Sequence, residues 1–384
     1  VLEESSPASD RARGDLAAMA EALGMPAVDG APEAALELIG AAARRGATDV
    51  HLNPSEDGGC KVLLRQGGRL SQVASLGSGA AESLREALRD QAGGAAAVAD
   101  SGQGRMMLEI DGDRLEVRLT QINAVVGPQL VLRLTNRSKV VLDLDRILPS
   151  PEDRAAADRI LGLPYGLVLV SGPSGSGKTS TAYGLLHALT RRQLAVYSLE
   201  DPLDMLIGGS GEGVIQVPAA GGSRSYAQAL RLVMQGDPDV IFLADVPDEE
   251  TARLACKVAI AGHLVLAQLH SNSASGAVAD FVRLTGDARL VASSLAAASN
   301  QRLLRKVCPD CRAEEPVSRE VLAGLGLPAQ GDRSGARADG CDRCVMGCRG
   351  REAIYEFLFS SEALLDAVAR GGGAADLRSA ALEG

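Results

Sequence analysis

The sequence predicts an α/β protein centred on a mainly parallel, helix-flanked sheet. A small α+β unit precedes it, and a loop-rich, cysteine-bearing segment with terminal helices follows. Three observations carry this. Apolar runs at 167–170, 194–199, 240–243 and 264–269 alternate with helical stretches, the pattern of a parallel sheet. The first run leads into Gly172-Pro173-Ser174-Gly175-Ser176-Gly177-Lys178-Thr179, and the residues from Ser180 to Leu186 read as a helix. The residues up to 136 instead break into short strands, hairpins and isolated helices.

Taken in order, residues 1–32 are rich in Ala, Ser, Glu and Asp and read as a linker, a marginal helix or the remnant of an upstream domain. The chain opens at Val1 rather than Met, which leaves room for an upstream targeting or docking domain. From 33 to 136 a small α+β domain is expected. Residues 34–45 carry helical spacing, and 47–54 turn into a strand. Residues 61–65 and 69–73 form a hairpin around Gln66-Gly67-Gly68. A helix at 80–91 follows. Strands at 105–110 and 113–120 flank Asp111-Gly112, and a strand at 131–134 closes the unit. Residues 137–148 read as an interdomain linker and 149–304 as the parallel-sheet domain. Residues 305–384 carry the cysteines and two helices, at 361–370 and 374–382.

Hydrophobic residues make up 46% of the 384 and aromatics only 2%, so the cores must be built from Leu, Val, Ile and Ala. A formal net charge of −10 argues against a nonspecific nucleic-acid binder, which needs basic surface to displace counterions. No apolar run reaches the length of a membrane span, and no secretory signal is visible. A cytoplasmic protein is the expectation. Seven cysteines, four of them in two C-x-x-C pairs, suit a metal site in a reducing compartment better than a disulfide scaffold.

Gly172–Thr179 fits G-x-x-x-x-G-K-[ST] in the strand–loop–helix context that a phosphate-binding loop requires. Glycines let backbone N–H groups converge on phosphate, and the helix N-terminus at Ser180 adds partial positive charge. Lys178 would neutralise β/γ-phosphates, and the Thr179 hydroxyl would ligate Mg²⁺. Glu200-Asp201-Pro202 ends a strand, where a carboxylate faces the ligand crevice and Glu200 can act on water; an acidic turn is the plain alternative. The stretch from Asp237 to Asp245 reads as a Walker B strand, with Asp245 serving Mg²⁺. His263 and His270 bracket the strand at 264–269; His270 lies at the ligand end, and two structural histidines are the ordinary alternative. Cys308, Cys311, Cys341 and Cys344 form C-x2-C-x29-C-x2-C, four thiolates suited to structural Zn²⁺. Cys348 is a spare, and Cys60 and Cys256 read as ordinary small residues.

In this order, the segments resemble the secretion-superfamily ATPases that drive type II secretion and type IV pilus assembly, over about residues 33 to 380. Ser198-Leu199-Glu200-Asp201-Pro202 is similar to that family's aspartate box, and 262–272 to its histidine box. The tetracysteine pattern, with Arg349-Gly350-Arg351-Glu352-Ala353-Ile354-Tyr355-Glu356, resembles the secretion and pilus-extension branch. The resemblance implies a PAS-like N-terminal domain, a RecA-like P-loop ATPase core and a zinc module. It also implies a homo-hexamer binding ATP, Mg²⁺ and Zn²⁺, which acts on an inner-membrane platform protein and a cytoplasmic docking protein. Arg65, Arg105 and Arg118 fall where family arginines approach the nucleotide; each has the alternative of a solvated strand arginine.

Departures from the family pattern matter. Ala244-Asp245-Val246-Pro247-Asp248 stands where the family has Gly-Glu-Ile-Arg-Asp, and Gln235 stands where it has arginine. Asp245 is one methylene short, and Pro247 removes a cation and a backbone donor. The stretch from Gly93 to Gly104 replaces an arginine- and proline-rich one. The expectation is therefore an ATPase motor, with a nucleotide-binding regulatory or scaffolding paralogue as the alternative.

Overall fold

The computed structural model describes residues 7–94, 102–136, 142–201, 203, 207–209, 212–219, 225–326, 328, 334–344 and 346–383. Pro202, residues 95–101 of the altered N-terminal stretch and residues 137–141 of the expected linker lie outside these. The chain forms two compact units, Val1–Val140 with Lys306–Gly350, and Val141–Arg305 with Arg351–Gly384.

In the first unit, helices Pro7–Leu23 and Ala31–Arg44 precede strands β1 (Asp49–Pro54), β2 (Cys60–Gln66) and β3 (Arg69–Leu76). Helix Ser78–Gln91 follows, then β4 (Gln103–Ile110), β5 (Asp113–Ala124) and β6 (Gly127–Asn136). The sheet runs β3-β2-β1-β6-β5-β4, with every pairing antiparallel. Period-two alternation sends Val50, Leu52, Val62, Leu64, Val117, Leu119, Leu130 and Leu132 into one core with Leu38, Ile39, Leu84 and Leu88 of the helices. The hairpins turn where expected. Asp111 and Gly112 take φ of 53° and 80°, the left-handed pair that matches strand twist in a two-residue loop.

Of the readings open for the N-terminal stretch, the structure shows the helix. Pro7–Leu23 is a helix whose Leu16, Met19, Ala20 and Leu23 are 1–4% exposed within that core. Their i, i+3, i+4, i+7 spacing makes one apolar stripe, thin enough to be masked by the surrounding Ala, Arg and Glu.

In the second unit, β7 (Gly166–Ser171) leads through the glycine-rich loop to helix Lys178–Thr190 and β8 (Val196–Glu200). A two-residue pair, β9 (Gly208–Gly209) and β10 (Glu212–Gly213), precedes β11 (Ile215–Pro218) and helix Tyr226–Val233. Then come β12 (Val240–Leu243), helix Glu249–Ile260, β13 (Leu264–Leu269), helix Ala274–Thr285 and β14 (Leu295–Val307). Between the cysteine knuckles, in the segment that clusters with the first unit, β15 (Arg312–Pro316) pairs antiparallel with β16 (Ser334–Ala338). β17 (Cys348–Phe359) and helices Glu362–Ala369 and Ala374–Glu383 finish the chain.

The main sheet runs β11-β8-β12-β13-β7-β14-β17, parallel from β11 through β14. β7 and β12 are buried along their whole length, which is why they read as unbroken apolar runs. Parallel strands place the loops after β7, β8, β12 and β13 at one sheet edge, and the chemistry-bearing motifs sit there. The cysteine-bearing residues 306–350 cluster with the first unit rather than with the C-terminal helices.

Candidate functional site

The loop after β7 needs its glycines. A Cβ on Gly172, at φ 151°, would lie 2.5 Å from the Gln301 carbonyl oxygen and 2.6 Å from Ser176 Oγ. Gly175 and Gly177 take φ of 74° and 90°, a region that L side chains avoid. Lys178 is buried, and its Nζ donates to the carbonyls of Gly172 (2.9 Å) and Pro173 (3.2 Å). Burial lowers the pKa of this ammonium, while the charge of Asp245 acts in the opposite direction. Thr179 and Ser180 open the helix, with Thr179 half-buried and Ser180 exposed. Pro173 is half-buried, and Ser174 is exposed at the tip. Ser176 Oγ is buried with no hydrogen-bond partner among the described residues. Such an orphan group marks a cradle shaped for a polar ligand.

β14 supplies a polar brace that sequence reasoning missed. Ser299, Asn300 and Gln301 are 2–5% exposed. Gln301 Nε2 donates to the Ser176 carbonyl (2.7 Å), and Asn300 Nδ2 to Ser171 Oγ (2.9 Å) and the Ser271 carbonyl (3.0 Å). The signal was there: Ser-Asn-Gln interrupts an apolar run, and buried polar side chains need partners.

Glu200 ends β8, facing helix Lys178–Thr190, and is 1% exposed. Its carboxylate accepts from Tyr183 Oη, Ser198 Oγ (2.7 Å) and Gln216 Nε2 (3.0 Å). Asp201 is exposed beyond it. Asp245 lies past the end of β12, exposed, with Oδ1 accepting from the Val246 amide (2.9 Å). Tyr226 Oη is buried without a hydrogen-bonding side-chain partner among the described residues; burial first, then the charges of Asp245, Asp201 and Glu200, push its pKa up.

The structure separates the two histidines. His270 Nδ1 stands 3.4 Å from Lys178 Nζ, at the edge that carries the loop. His263 precedes β13 at the opposite edge, with Nδ1 2.7 Å from the Pro238 carbonyl. It does not join the loop residues.

Arg65, Arg105 and Arg118 belong to the first unit, on one row across its sheet. Cross-strand register runs Arg65, Asp49, Arg133, Arg118, Arg105 through β2, β1, β6, β5 and β4, so all five share a face. Buried Asp49 pairs with Arg65 (3.5 Å) and Arg133 (3.1 Å). Buried Glu116 pairs with Arg118 (3.2 Å) and with Arg105. Arg133 was missed because its place in the row is set by register, not by local sequence. Beside the row, burial and then Arg65 push the pKa of His51 down against the pull of Asp49.

The four expected cysteines converge, with all Sγ atoms within 4.8 Å of one another. Cys308–Cys341, Cys311–Cys344 and Cys341–Cys344 are 3.9, 3.8 and 3.7 Å apart. Four sulfurs at zinc bond lengths of about 2.3 Å would be about 3.8 Å apart, the edge of the tetrahedron. The long central spacing is taken up by the β15–β16 ladder, whose Arg312↔Ala338 pairing brings the knuckles together. Cys348 lies outside the group. Burial pushes the Cys60 and Cys256 thiols up to about 11, as inert core residues.

A parallel sheet with a glycine-cradled, lysine-bearing loop between its strand and helix defines a P-loop protein of the RecA-like class. The chain belongs to the type II/IV secretion system protein family, whose model matches residues 33–383. It is 35% identical over 269 residues to the type II secretion system protein E of Klebsiella pneumoniae, covering 70% of this chain and 53% of that protein. It is 30% identical over 333 residues to the type II secretion system ATPase E of Vibrio cholerae, covering 86% and 65%. The type IV pilus assembly ATPase PilB of Thermus thermophilus is 30% identical over 340 residues, covering 87% and 38%. The chain thus spans about half the length of the protein E relatives it matches. The same fold appears in the pilus retraction motor PilT with bound ADP, at TM-score 0.60 and 21% identity, covering 87% of this chain and 85% of that one. It appears also in the ATPase DotB of Legionella pneumophila, at TM-score 0.63 and 18% identity, covering 91% and 86%.

Proposed function

We propose that this chain is a Mg²⁺-dependent ATPase that works as a homo-hexamer on the cytoplasmic side of the inner membrane. It would drive type II secretion or type IV pilus assembly through a platform protein, with a cytoplasmic docking protein as a second partner. The supporting observation is the phosphate loop: Lys178 is folded onto loop carbonyls beside the orphan Ser176 hydroxyl, at the carboxyl edge of the sheet. The names of the V. cholerae and T. thermophilus relatives point the same way.

In this reading the loop from Gly172 to Ser180, Pro173 included, wraps the phosphates, its N–H groups other than at Pro173 donate to them, and Lys178 neutralises them. Thr179 and Asp245 are the hard oxygen donors that Mg²⁺ takes, and the residues fit it. When bound there, Mg²⁺ would supply charge neutralisation for the transferred phosphoryl group. Glu200 is the general base, and His270 couples the γ-phosphate to movement. Arg65, Arg105 and Arg118 stabilise charge on the nucleotide. The four-cysteine cluster holds structural Zn²⁺, since four thiolates leave no open position for catalysis. The domain plan is a PAS-like unit bounded by the sequence at 33–136, whose core also takes in helix Pro7–Leu23, an ATPase core at 149–304, and at 305–384 a zinc module clustering with the first unit and helices clustering with the second.

Steady-state phosphate release from Mg-ATP, with Lys178→Ala as the blank, tests the reading. Turnover above the blank is expected. One observation favours the second reading, a nucleotide-binding regulator or scaffold: Asp245 is short and bonds to the amide of its own neighbour. Release at the blank's level by a folded protein that binds nucleotide would decide for the regulator.

A further inference from the structure

Among the described residues of the second unit, Glu200 is the one buried carboxylate. A buried charge is costly unless hydrogen bonds replace its water. Three elements supply them. Ser198 comes from Glu200's own strand, Gln216 lies opposite Ser198 on β11, and Tyr183 comes from the helix that carries Lys178 and Thr179. The Tyr183 ring stands edge-on to Phe242 of β12, with centroids 6.5 Å apart at 82°, which fixes its direction.

We propose that Tyr183, Ser198 and Gln216 form a cradle that holds the Glu200 carboxylate in one orientation, with Tyr183 the positioning residue that ties the base to the phosphate-loop helix. A carboxylate offers about four lone-pair sites, so the three donors among the described residues leave one acceptor for an attacking water. Tyr183 follows Lys178 by five residues, about 7.5 Å along the helix axis, so the hydroxyl gauges the base against the phosphate site. A phenylalanine would fill the same core volume; the hydroxyl serves the carboxylate. The inference rests on Glu200 being the base.

The test compares Tyr183→Phe, Gln216→Met, Glu200→Gln and the Tyr183→Phe/Glu200→Gln double variant in the full chain. Tyr183→Phe is expected to lower kcat about tenfold or more, with KM for ATP within about twofold, as loss of a charge-assisted bond acting on chemistry alone requires. Gln216→Met, at a half-buried strand position, should act the same way and carries the kinetic test if Tyr183→Phe does not fold. In urea unfolding, the Tyr183 and Glu200 effects should be strongly non-additive. Parental kcat in Tyr183→Phe beside an inactive Glu200→Gln overturns the cradle, as do additive unfolding effects. Parental turnover in Glu200→Gln instead overturns the base reading itself. If the parent shows no turnover, the unfolding cycle alone decides the cradle.

Discussion

At the residue scale, Asp245 and Glu200 show how two acids at strand ends can differ in kind. Glu200 is enclosed and held by three donors, whereas Asp245 is exposed and accepts from the next amide. If Asp245 serves Mg²⁺, it reaches one methylene less far than a glutamate would and has one oxygen engaged by the Val246 amide, and a misplacement of about 1 Å can cost on the order of 10²-fold in rate. Asp245→Glu should therefore raise kcat severalfold without tightening nucleotide binding. Unchanged or lower phosphate release by that variant would mean Asp245 already sits where the site needs it. Both acids were legible in the sequence as strand-end carboxylates. Their opposite environments were not, because burial at 200 depends on Tyr183 and Gln216, brought in from other elements.

At the element scale, the helix Pro7–Leu23 and the strand β14 were underestimated for related reasons. The helix packs Leu16, Met19, Ala20 and Leu23 into the first core, so it is a structural part of that unit rather than a tether. Leu16→Ala should cost about 2–5 kcal/mol in urea unfolding, the range for removing a buried leucine. A loss below about 0.5 kcal/mol, as at an exposed site, would return the segment to a linker. β14 was hidden because its register with β7 is non-local. Only that pairing turns Ser299, Asn300 and Gln301 from a polar interruption into the brace of the phosphate loop. By contrast, the hairpin at Asp111-Gly112 was readable at once, since its geometry is dictated by the turn residues themselves.

At the scale of the whole molecule, the tetracysteine cluster closes a long insert into one site. Metal analysis of purified protein should find about one zinc per chain, and Cys308→Ser with Cys341→Ser should abolish it. Folded, metal-free parent protein would remove zinc from the assignment. Cys60 and Cys256 are buried and stand outside the four-sulfur group.

The sequence alone determined the parallel-sheet class, the phosphate loop and the four cysteines that cluster. These depend on short-range patterns: apolar runs of strand length, glycines where the backbone must curl, and paired knuckles. Tertiary structure alone decided that His270 stands by Lys178 while His263 sits at the far edge, that Arg133 completes the arginine row, and that Tyr183 holds Glu200. The physical reason is common to all three. Strand direction and register decide which distant residues share an edge or a face, and no local pattern encodes them.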